Sequence, residues 1–121
     1  MKRLFIMTQQ FETLLKTFPN HDELLIDIEQ EVLKDLRKNI DLREVISGTG
    51  GFTKVRVPLK RRNQGKSSSV RVIYFDCPIP ERTFLVMVFS KSKLENISAA
   101  TKNQLKKVGQ ELKKWRPKKI S

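Results

Sequence analysis

The chain has 121 residues, a net charge of +12, one cysteine and one histidine. That length holds one domain with one modest core; the lone cysteine excludes an intramolecular disulfide and, with a single histidine, a Cys/His zinc site. Residues 1–40 carry six basic and seven acidic side chains, whereas residues 41–121 carry nineteen and six, so the excess cation reads as a surface for a polyanion rather than a solubility device.

The opening MKRLFIM places basic residues before apolar ones, but its apolar run of four is too short for a signal sequence. No stretch approaches the roughly 18 apolar residues of a membrane span. The expectation is a soluble, cytoplasmic protein of a single domain (1–121), with no membrane association. Arg3 to Thr8 (RLFIMT) reads as a short strand. Phe11, Leu14, Leu15 and Phe18 then recur at helical spacing, and Pro19 ends that helix. Asn20 followed by Glu23 has the form of a capping box for a second helix reaching about Lys38. Its predicted buried stripe is Leu25, Ile28, Val32 and Leu36, with Asp27, Glu31, Lys34 and Asp35 on the wet face.

Gly48-Thr49-Gly50-Gly51 marks a tight turn. Beyond it, Val55, Val57 and Leu59 alternate with Lys54, Arg56 and Lys60, which places Lys54 and Arg56 together on the face opposite the core. Pro58 suits an edge position or a bulge. Residues 60–69 (KRRNQGKSSS) read as a polar, basic loop. Val70 to Asp76 (VRVIYFD) and Thr83 to Ser90 (TFLVMVFS) are apolar enough for central strands. Ser98 is a candidate N-cap for a last helix bearing Thr101, Leu105, Val108, Leu112 and Trp115 on one stripe, with Gly109 a weakening residue within it. The order β-α-α-β-β-β-α gives an α+β domain: a small antiparallel or mixed sheet of about four strands, with helices over one face.

The chemistry in these elements is cationic. His21 reads as a solvated helix-start residue, Cys77 has no basic neighbour in sequence to activate it, and no Gly-Lys-Ser/Thr follows the glycine turn. Nothing calls for a metal or other cofactor. Lys54, Arg56 and Arg71 fall on neighbouring strands, and Lys91 and Lys93 follow the last one. Arginine binds phosphate bidentately, and a lysine desolvated among cations can serve as a base. Such a set either binds phosphates or cleaves RNA without metal, through attack of the 2′-OH on its own phosphate.

Ile46 to Val57 (ISGTGGFTKVRV), Arg71 to Phe75 (RVIYF) and Phe89 to Ser98 (FSKSKLENIS) resemble the RelE/ParE toxin superfamily, and within it the HigB-like toxins of type II toxin–antitoxin modules. The similarity covers roughly residues 42–115. It implies a RelE-like fold and an endoribonuclease, an mRNA interferase that cuts translated codons in the ribosomal A site. It also implies neutralisation by a cognate antitoxin, with operator DNA met only through the antitoxin complex. Carried over by position, Lys54, Arg56 and Arg71 are catalytic, and Lys93 is added as a substitute for charge stabilisation. Lys60, Arg61, Arg62, Lys66 and Lys91 are expected to bind RNA. Family members also have an arginine after the last strand and a tyrosine several residues later; here Ser92 and Ser98 stand near those places, which leaves the acid and base open. The alternatives are a ParE-like gyrase inhibitor and a non-catalytic RNA- or ribosome-binding protein.

Overall fold

The computed structural model describes residues 4–59, 69–77, 81–90 and 98–114. In chain order these form β1 (Leu4–Met7), α1 (Gln9–Leu15), α2 (His21–Leu36), a 3-10 turn (Ile40–Leu42), β2 (Glu44–Val45), β3 (Phe52–Pro58), β4 (Ser69–Cys77), β5 (Arg82–Ser90) and α3 (Ala99–Lys114). The strands make one five-stranded sheet in the order β1-β5-β4-β3-β2. Strands β2 to β5 pair antiparallel with their chain neighbours, and β1 lies parallel to β5, so the sheet is mixed. The expected α+β class holds, with one strand more than the sequence pattern showed. That strand is β2, whose two residues are defined only by pairing Glu44 with Lys54 and Val45 with Thr53.

The helices do not share one face, contrary to expectation. One core joins Phe11 and Leu15 of α1 and Leu24, Ile28 and Val32 of α2 to Val57, Val70, Val72, Tyr74 and Leu85 on one side of the sheet. A second core joins Leu105 of α3 to Phe52, Ile73, Phe75, Phe84 and Val86 on the other side. Side chains alternate faces along a strand, so a strand covered on both sides must be apolar at consecutive positions. Strand β4 is: Val72, Ile73, Tyr74 and Phe75 are all buried. An extra residue in β5, Val86, interrupts the pairing opposite Ile73 and Tyr74 and turns both Val86 and Met87 toward α3.

Local chemistry sets the helix limits. The Thr8 hydroxyl accepts from the Phe11 amide at 3.2 Å and caps α1. Ser98 does the same for α3, accepting from the Thr101 amide at 3.2 Å. The capping box expected at Asn20 does not form. Asn20 has a left-handed backbone (φ 55°) that turns the chain after Pro19, and its side chain caps nothing; a capping side chain requires the extended backbone instead. At the far end of α2, Arg43 donates to the carbonyls of Leu36 (2.8 Å) and Lys38 (3.0 Å), satisfying oxygens that the helix leaves free.

Two residues expected in water or on a stripe sit elsewhere. Asp35 is only 4% exposed and accepts a 2.6 Å hydrogen bond from the Tyr74 hydroxyl. The buried stripe of α2 is therefore Leu24, Ile28, Val32 and Asp35, with Leu25 and Leu36 half-buried. On α3 the buried positions are Leu105 and Gly109, while Val108 is exposed. A methyl group at Gly109 would stand 3.0 Å from Cε2 of Phe52, so the absent side chain lets α3 approach the ring. Trp115 lies outside the described residues.

Candidate anion-binding face

The turn from Gly48 to Gly51 positions the cationic strand. All three glycines have positive φ, and the buried Thr49 between them donates to the Ile46 carbonyl at 2.6 Å and accepts from the Phe52 amide at 3.2 Å. The turn thereby closes a β2–β3 hairpin and fixes where β3 begins. With Phe52 anchored in the second core, alternation sends Lys54 and Arg56 to the same face of the sheet. Arg71 shares that face with Ile73 and Phe75 on β4.

Three of the predicted site residues therefore come together. Arg56 and Arg71 are direct register partners across β3 and β4, and Lys54 is the partner of Ile73, two positions along. Helix α3 covers the opposite end of this face, where Phe52 and Phe75 stack with ring centroids 4.7 Å apart. Arg56 is exposed, and Lys54 and Arg71 are partly so. Lys60, Arg61, Arg62, Lys66, Lys91 and Lys93 lie outside the described residues.

Two partners of these cations were not visible in the sequence pattern. The Glu44 carboxylate pairs with the Lys54 ammonium at 3.0 Å, across the β2–β3 register. Lys54 is thus held in an ion pair with a carboxylate on the neighbouring strand. Ser69 accepts hydrogen bonds from Nε of Arg56 at 3.2 Å and from Nη1 of Arg71 at 3.0 Å. Read as the end of a polar loop, Ser69 is instead the first residue of β4, opposite Pro58. Among the described residues Pro58 lies beyond the stretch of β3 that pairs with β2, an edge position of the kind proline tolerates.

The face can bind an anion by two side-by-side guanidiniums, each of which makes one hydrogen bond to Ser69 among the described residues and carries five N–H donors in all. Among the described residues, Phe52, Tyr74 and Phe75 are buried and offer no exposed ring for base stacking. Ser98 serves as the cap of α3. A separate groove of about 600 Å³ beside α3 is lined by Thr8, Val86, Met87, Leu105 and Val108 among others, and among the described residues by none of Lys54, Arg56 and Arg71. Residues 27–121 match the family model described as the RelE toxin of the RelE / RelB toxin–antitoxin system.

Proposed function

Because the chain belongs to the RelE toxin family, and is by that membership a toxin of a toxin–antitoxin system with a cognate antitoxin, we propose that it is a ribosome-dependent mRNA endonuclease of the HigB-like kind. It enters the A site, cleaves translated mRNA and so inhibits translation in the cytoplasm. The observation that carries this reading is the direct cross-strand pairing of Arg56 with Arg71 on an accessible sheet face.

The bonds made and broken in cleavage lie within the RNA. The 2′-oxygen attacks the adjacent phosphorus as its proton leaves to a base. The P–O5′ bond breaks, and the departing 5′-oxygen takes a proton. The products are a 2′,3′-cyclic phosphate and a free 5′-hydroxyl. Negative charge builds on the non-bridging oxygens during the attack, and fixed guanidiniums aimed at them stabilise that state more than the ground state. Arg56 and Arg71 take this role, with Lys54 adjacent and Lys93 as a further charge from the segment after β5. Lys60, Arg61, Arg62, Lys66 and Lys91 hold the RNA backbone and make binding salt-sensitive. The antitoxin neutralises the protein by covering this face.

Expression in a growing cell tests the reading. The wild-type chain should arrest growth, and co-expression of the antitoxin should relieve the arrest. A Lys54→Ala/Arg71→Ala variant should fold with unchanged circular dichroism yet be harmless. Arrest that persists in this variant would remove the basic face from the mechanism.

A further inference from the structure

Ser69 is the only hydroxyl among the described residues that receives two guanidinium N–H groups, and it is 9% exposed. Its two donors face one another across the β3–β4 ladder. Like charges placed directly opposite on adjacent strands repel, and arginine side chains have ample rotamer freedom to swing apart. Among the described residues no carboxylate forms an ion pair with either arginine. The shared acceptor is a neutral oxygen with two lone pairs, one for each arginine. A carboxylate there would also hold the two side chains, but would cancel the charge that an anion needs to meet.

We propose that Ser69 is a positioning residue whose hydroxyl holds Arg56 and Arg71 side by side as a two-guanidinium clamp for one phosphodiester. This inference rests on the RNA-binding reading of the face. Its physical basis is pre-organisation: a clamp set before binding loses less side-chain freedom when the phosphate arrives. Threonine keeps an oxygen at the same place and suits a strand, whereas alanine removes both hydrogen bonds without adding bulk.

The test compares the wild-type 121-residue chain with Ser69→Ala, Ser69→Thr and Arg71→Ala. Affinity for a short 2′-O-methyl RNA, which cannot be cleaved, is read by fluorescence anisotropy. The Nε–H resonance of Arg56 is read by NMR. Ser69→Ala should bind about five- to tenfold more weakly, a change of the size that one or two lost orienting hydrogen bonds give. Arg71→Ala should bind more weakly still, and Ser69→Thr should remain within about twofold of wild type. The Arg56 Nε–H signal should shift and exchange faster in the alanine variant and be retained in the threonine variant. Undiminished affinity in Ser69→Ala beside a loss in Arg71→Ala would overturn the positioning role and leave the RNA-binding reading standing. Undiminished affinity in both would overturn that reading and the inference with it.

Discussion

The Tyr74 hydroxyl donates a 2.6 Å hydrogen bond to the Asp35 carboxylate across 39 residues of chain, joining α2 to the central strand of the sheet. Both side chains are almost fully buried, and Lys38 pairs with the other carboxylate oxygen at 3.3 Å. Removing either member leaves the other buried without that partner, a phenol hydroxyl in one case and a carboxylate oxygen in the other. Asp35→Ala and Tyr74→Phe should therefore each destabilise the fold by about 1–3 kcal/mol. The double variant should cost less than the sum, because the two changes remove one shared interaction. Urea titrations of the three variants measure this.

The same bond has a pH signature. Burial, and then the hydrogen bond to Asp35 and its charge, push the Tyr74 pKa well above its ordinary value of 10.0. Above about pH 10 the unfolded chain releases the phenolic proton while the folded chain keeps it, so the folded state loses ground as pH rises. Tyr74's contribution is complete below pH 10 and declines through the alkaline range. The melting temperature of the wild type should fall between pH 10 and pH 12 more steeply than that of Tyr74→Phe. Parallel slopes would show that Tyr74 titrates as a solvated phenol.

At Gly109, helix propensity and packing oppose one another. Alanine would favour the helix by about 1 kcal/mol. Its Cβ would stand 3.0 Å from the Phe52 ring, and Phe52 is fully buried with its ring centroid 4.7 Å from that of Phe75. Packing should win, with Gly109→Ala net destabilising by about 1 kcal/mol. A gain in stability on thermal melting would mean that α3 can lift from the sheet at little cost.

Glu44 is 67% exposed in its ion pair, and Lys54 is 20% exposed. Surface pairs of this kind contribute at most about 1 kcal/mol. Glu44→Gln should leave the melting temperature nearly unchanged while removing an anion from the basic face. RNA affinity should rise about two- to fivefold at low salt, and the gain should fade as salt screens the face. A loss of affinity would assign Glu44 a part in holding Lys54 where RNA needs it.

Strand β3 and its basic face were legible from the alternation of Val55 and Val57 with Lys54 and Arg56, because a period of two has one structural meaning. The apolar run of β4 also carried the signal for helices on both faces, since a strand covered on one side has no reason to be apolar at Ile73 and Phe75 as well as at Val72 and Tyr74. Asp35 lies three residues from Val32 and seven from Ile28, a buried spacing, but nothing local announces that a tyrosine on β4 will meet it. Strand β2 has no pattern to read in two residues. The partners of the cations, Glu44 and Ser69, depend on strand register, which sequence spacing across a loop does not determine.

Cell-free translation with the purified protein, followed by primer extension on the mRNA, tests the central claim most directly. The account predicts cuts within codons that require ribosomes and vanish in Arg71→Ala. Halted translation with intact mRNA, or cuts that Arg71→Ala leaves in place, would contradict it.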